Sequence, residues 1–111
     1  MSEVTVAEVT VDTLAAARAD GSLVVDVREP HEYVTGHVPG ALLMPLGEVQ
    51  GRRRELPPGR RVYVICASGN RSRRATDTLR LHGYDAWSVQ GGTSAWVREG
   101  HPVVTGPYAE R

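Results

Sequence analysis

The 111 residues predict an α/β protein, a mostly parallel central sheet with helices on both faces. Three observations predict it. Short apolar runs of strand length alternate along the chain with amphipathic stretches of helical length. Most of these runs are apolar almost throughout, as buried strands of a parallel sheet are. Gly and Pro fall at the junctions between the two kinds of segment, where chain breakers belong.

Each element follows from its residues. Thr10 can cap a helix over Val11 to Ala19, with Val11, Leu14 and Ala15 on one face and Gly21 ending it. Leu23 to Val27 reads as a buried strand. Arg28 to Tyr33 opens a short helix, with Pro30 near its first turn. Gly36 to Gly40 is turn chemistry, and Ala41 to Met44 is strand-like until Pro45 stops it. Leu46 to Leu56 reads as a helix of modest quality, closed by Pro57-Pro58-Gly59. Arg61 to Ile65 is the strongest strand, β-branched and almost wholly apolar. Cys66 to Arg71 forms a loop, and Ser72, read as an N-cap, opens a helix to His82 with Ala75, Leu79 and Thr78 inward. Ala86 to Val89 is a further strand, Gly91-Gly92 a turn, and Thr93 to Glu99 a last helix ended by Gly100. The tail from Val104 reads as loosely held.

Hydrophobic residues make up 41% of the chain and charged ones 23%, ordinary values for a globular protein. The length fits one domain over residues 1–111 and leaves no room for two. No apolar run approaches the roughly 18 residues of a membrane span. The first eight residues show no export signal, so no membrane partner and a cytoplasmic location are expected. Every basic residue is Arg, and nine of the thirteen lie between Arg52 and Arg80. Only Glu55 and Asp77 oppose them there, so that segment carries +7 and the remainder, four arginines against eleven acids, −7. The imbalance reads equally as two solvated faces or as a field drawing small anions toward the segment. No nucleic acid is expected, because the run Arg52-Arg53-Arg54 is short and no aromatic residues interleave with it.

Cys66 is the single cysteine, which excludes an internal disulfide and a thiol zinc site. No metal and no cofactor is expected. Its position directs attention to it. Working sites of open α/β sheets lie at the carboxyl ends of strands, and Cys66 directly follows the best one. Ala67, Ser68, Gly69 and Asn70 are small or turn-tolerant, so successive main-chain N–H groups can turn inward as an anion nest. The following helix adds partial positive charge and Arg71 a full one. All of these favour thiolate over thiol, so the Cys66 pKa is expected well below the ordinary value of about 8.5. Such a thiolate is a nucleophile without a histidine partner.

These residues resemble the rhodanese family over roughly Val4 to Val103, leaving residues 104–111 as the loose tail. Four segments carry the likeness in order. They are LVVDVREPHEY (23–33), GHVPGA (36–41), CASGNRS (66–72) and GYDAWSVQGGTSAWVREGHPV (83–103). The resemblance implies a mostly parallel sheet of about five strands and a ping-pong sulfurtransferase. Thiosulfate or a similar small anionic donor would give its outer sulfur to Cys66. The persulfide would then pass it to cyanide, a thiol or an acceptor protein. By the same resemblance the amides of Ala67, Ser68, Gly69, Asn70 and Arg71 cradle the persulfide, Arg71 holds the donor, and Asp26, Arg28 and Ser72 support the site. Asp26 and Arg28 are expected to act by salt-bridging, and His37 by packing and bonding its turn. Four residues separate Cys66 from Arg71, where related phosphatases and arsenate reductases use five; the smaller ring suits one sulfur atom. With no second thiol, the acceptor must come from outside. A carrier module loaded and unloaded by partner proteins is the alternative.

Overall fold

The computed structural model describes residues 6–110. Five parallel strands form its sheet in the order β1-β5-β4-β2-β3: β1 Glu8–Val9, β2 Leu23–Asp26, β3 Leu42–Leu43, β4 Arg61–Ile65 and β5 Asp85–Val89. The apolar run 61–65 takes the centre because both its faces and both its edges must be covered. Val62 to Ile65 are buried, β2 and β5 flank it, and Val25 and Ser88 stand opposite Val64. The carboxyl ends of the inner strands are therefore level, with Asp26 beside Ile65.

Alternation along the strands sorts the core into two layers. Val24, Tyr63, Ile65 and Val89 face α1 (Val11–Ala19), α2 (Pro30–Tyr33) and α5 (Gly92–Arg98), meeting Leu14, Tyr33 and Trp96. Val25, Val62, Val64 and Ala86 face α3 (Val49–Arg52) and α4 (Asn70–Leu81), meeting Val49, Ala75 and Leu79. Each fully buried Val, Leu or Ile among them contributes about 1.5–3 kcal/mol. Thr10 caps α1, its hydroxyl accepting the Thr13 N–H at 3.2 Å.

Several elements differ from the sequence reading. The stretch 46–56 is not one helix: 3₁₀ turns at Leu46–Glu48 and Arg53–Glu55 flank the single turn of α3. Gly47 and Gly51 dilute its helical propensity, and Pro45 and Pro57 limit its length. On α4 the inward threonine is Thr76, 2% exposed, rather than Thr78. The two-residue strand β1 has no periodicity by which to be read.

The tail is held rather than loose. Val104 and His37 exchange both main-chain hydrogen bonds at 2.9 Å, Gly106 N–H donates to Val34, and Gly40 N–H donates to the Ala109 carbonyl at 2.8 Å. His37 is fully buried, stacked on Tyr33 at 3.5 Å, with Nδ1 against the Tyr33 carbonyl and Nε2 against that of Tyr108, each at 2.8 Å. Local sequence could not show this, because the partners lie some seventy residues apart. No helix among the described residues is long and apolar enough to cross a membrane.

Candidate active site

Cys66 leaves β4 where Val27 N–H donates to the Ile65 carbonyl at 2.9 Å, and the chain then turns through Ala67, Ser68 and Gly69 into α4. Gly69 has φ +115°, a backbone that side chains rarely tolerate, and this aims its N–H at Cys66 Sγ, 3.0 Å away. The same turn starts the helix at Asn70. Ser72 is therefore not its N-cap; Gly69 holds that place, and Ser72 lies inside the first turn, fully buried. Its Oγ donates to the Gly69 carbonyl at 3.0 Å, meets Ser88 Oγ at 2.7 Å and accepts the Cys66 thiol at 3.5 Å.

A second helix start clamps the loop from behind. Thr93 N–H and Oγ1 donate to the Cys66 carbonyl at 2.8 and 3.0 Å, and Ser94 N–H donates to the Ala67 carbonyl at 3.0 Å. Gly92 makes this approach possible. A Cβ there would stand 2.5 Å from the Cys66 carbonyl oxygen and 2.6 Å from the Ala67 carbonyl carbon.

The electrostatics follow from this packing. Burial pushes the Cys66 thiol up, but the Ser72 hydroxyl and the main-chain N–H groups of Ser72, Gly69 and Ser68 outweigh it. They hold the group below its ordinary value. Arg71 is differently occupied. Its guanidinium makes a bidentate pair with Glu32 on α2, at 2.7 and 2.8 Å. That pair holds Glu32 down at about 2, with desolvation opposing and the Glu29 N–H assisting.

The other expected site residues are placed as follows. Asp26 and Arg28 form a buried ion pair, 2.9 Å at the shortest, and Arg28 also donates to the Gly36 carbonyl at 2.8 Å. Asn70 is exposed and its Oδ1 accepts from Arg73. Ala67 faces an open groove of about 560 Å³, shared with Thr35, Gly36, Ser94, Val97 and Val103. Much of the arginine excess is met by acids from outside its own segment: Arg52 by Glu48, Arg61 by Asp85 and Arg71 by Glu32. Sequence reasoning missed Glu32, Ser88 and Gly92 as parts of the site. Glu32 lies 39 positions before its partner, beyond any local spacing rule; the Gly91-Gly92 pair was legible, as a turn only. No cluster of metal-ligating side chains occurs among the described residues.

Fold and site together define an α/β protein with a buried thiol, its anion favoured by hydrogen-bond donors, at the carboxyl edge of a parallel sheet. The chain belongs to the rhodanese-like domain family, whose sequence pattern matches residues 10–99. It is 37% identical to a sulfurtransferase of Allochromatium vinosum over 100 residues, covering 87% of this chain and 94% of that one. It is 45% identical over 67 residues to a candidate sulfur carrier protein of Bacillus subtilis, covering 60% of this chain and only 36% of that longer relative. The crystal structure of a thiosulfate sulfurtransferase from Pseudomonas aeruginosa superposes with a TM-score of 0.84 at 26% identity, over 96% of this chain and 21% of that one. Sulfur transfer is the chemistry of this family, and the rhodanese fold is its architecture.

Proposed function

We propose that the chain is a thiosulfate-type sulfurtransferase working through a persulfide on Cys66. The thiolate attacks the outer sulfur of the donor, the S–S bond breaks, and sulfite leaves with the electron pair. An external thiophile, cyanide or a thiol, then takes the sulfane sulfur and returns Cys66 as thiolate. The observation that carries this reading is the sulfur itself, seated 3.0 Å from the Gly69 N–H in a ring of donors that favours its anion. That ring is formed by Ser68, Gly69 and Ser72, and only four residues separate Cys66 from Arg71, a spacing that suits a single sulfur atom. Asp26 and Arg28 act here as a buried ion pair that ties the end of β2, beside β4, to the turn at Gly36. A cytoplasmic setting, which keeps an unpaired thiol reduced, suits this chemistry.

A specific observation favours a second reading, a protein-to-protein sulfur carrier. Arg71, the cation expected to grip a small dianion, is already engaged by Glu32, and the Bacillus relative carries a sulfur-carrier name. Intact-protein mass spectrometry after thiosulfate tests the persulfide. One added sulfur, absent from Cys66→Ala, is expected; an unchanged mass overturns the thiosulfate reading. Fast single-turnover loading by a cysteine persulfide donor, with slow steady-state turnover of thiosulfate and cyanide, selects the carrier.

A further inference from the structure

We propose that Ser88, a hydroxyl on β5, is a positioning residue for Cys66, and that with Ser72 it forms a two-setting hydroxyl relay following the charge on the sulfur. The inference rests on Cys66 being the working thiol. Ser72 and Ser88 are both fully buried, where a hydroxyl without a partner is costly, and their oxygens stand 2.7 Å apart. Its neighbours on that face of the sheet, Ala86 along β5 and Val64 across on β4, are buried and apolar.

The geometry supplies both settings. With Cys66 as thiol, its S–H points at Ser72 Oγ, and the Ser72 hydroxyl donates to the Gly69 carbonyl. With Cys66 as thiolate, the S–H is gone and the Ser72 hydroxyl can swing from that carbonyl to Sγ, 3.5 Å away. The swing orphans nothing, because the Gly69 carbonyl keeps the Arg73 N–H at 3.2 Å. Ser88 restricts the choice to these two. By donating to Ser72 Oγ it removes the third direction in which the Ser72 hydrogen could point, and it strengthens that hydrogen as a donor.

The relay acts at the step that regenerates the nucleophile. An acceptor thiolate forms a bond to the outer sulfur, the Sγ–S bond breaks, and its electron pair returns to Sγ. The rotating Ser72 hydroxyl meets that charge, and no proton passes between heavy atoms.

The test is the pH dependence of Cys66 alkylation by iodoacetamide, with thiolate absorbance near 240 nm as a second readout, in the intact protein. Ser72→Ala is expected to slow alkylation at pH 7 about tenfold, the loss of one hydrogen bond to a charged group. Ser88→Ala, which removes one oxygen from the core, is expected to slow it about twofold. Ser88→Thr restores the profile, and the double variant matches Ser72→Ala alone, because Ser88 acts only through Ser72. A Ser88→Ala profile identical to wild type overturns the relay, as does a double variant whose effects multiply. Neither readout uses a sulfur donor. Failure of Cys66 to take up sulfur with these profiles as expected removes the sulfurtransferase reading and leaves the relay standing.

Discussion

Glu32 and Arg71 close on each other beside a sulfur whose anion is already favoured by main-chain donors, and this division of labour sets what single substitutions should do. Glu32→Gln keeps an oxygen for the Glu29 N–H but releases the guanidinium, the group proposed to hold the donor, by removing the carboxylate that now occupies it. Its KM for thiosulfate is expected to fall about threefold with kcat little changed, read in steady-state assays. Arg71→Ala should do the opposite, raising KM about tenfold. Its thiolate titration should shift less than that of Ser72→Ala, because the sulfur is held mainly by the Ser72 hydroxyl and the loop amides. The ion pair also has a pH signature. Glu32 sits at about 2 in the folded chain against about 4.3 unfolded, so the folded state gains above the unfolded value and loses as pH falls toward 2. For a partly exposed pair this amounts to about 1 kcal/mol. Denaturant midpoints between pH 5 and pH 2.5 should fall less in Glu32→Gln than in wild type.

At the scale of elements, two helix starts meet on one loop, and the meeting depends on Gly92. Gly92→Ala would drive a methyl into the Cys66 and Ala67 carbonyls at a backbone of φ +59°. It should cost about 3 kcal/mol in urea unfolding and raise the alkylation midpoint of Cys66. Thr10→Ala, which touches only the start of α1, should cost about 1 kcal/mol and leave that midpoint alone. What was legible in the sequence divides on the same line. The cap at Thr10, the buried strand 61–65 and the placement of Cys66 at its end were readable, because each rests on residues within one or two turns of each other. The start of α4 was misplaced at Ser72 because a left-handed glycine can begin a helix with no side-chain cap, a choice set by the loop's closure on Gly91 and Gly92. The salt bridge from α2 and the hydroxyl from β5 are products of topology, and no local pattern announces them.

For the whole molecule, the C-terminal segment is part of the wall behind the Asp26–Arg28 brace. It bonds the turn at 34–40, whose Gly36 carbonyl receives Arg28. Ending the chain after Thr105 removes the carbonyls that meet His37 Nε2 and the Gly40 N–H. A loss of about 2 kcal/mol is expected in thermal or denaturant unfolding; an unchanged midpoint would show the tail to be dispensable. The clamp of Thr93 and Ser94 on the Cys66 and Ala67 carbonyls carries a consequence for biosynthesis. During synthesis Cys66 appears together with Ser68, Gly69 and Ser72, but Ser88, Thr93 and Ser94, which hold that loop in place, follow about twenty residues later. The thiol is therefore expected to gain its full reactivity only after they have docked.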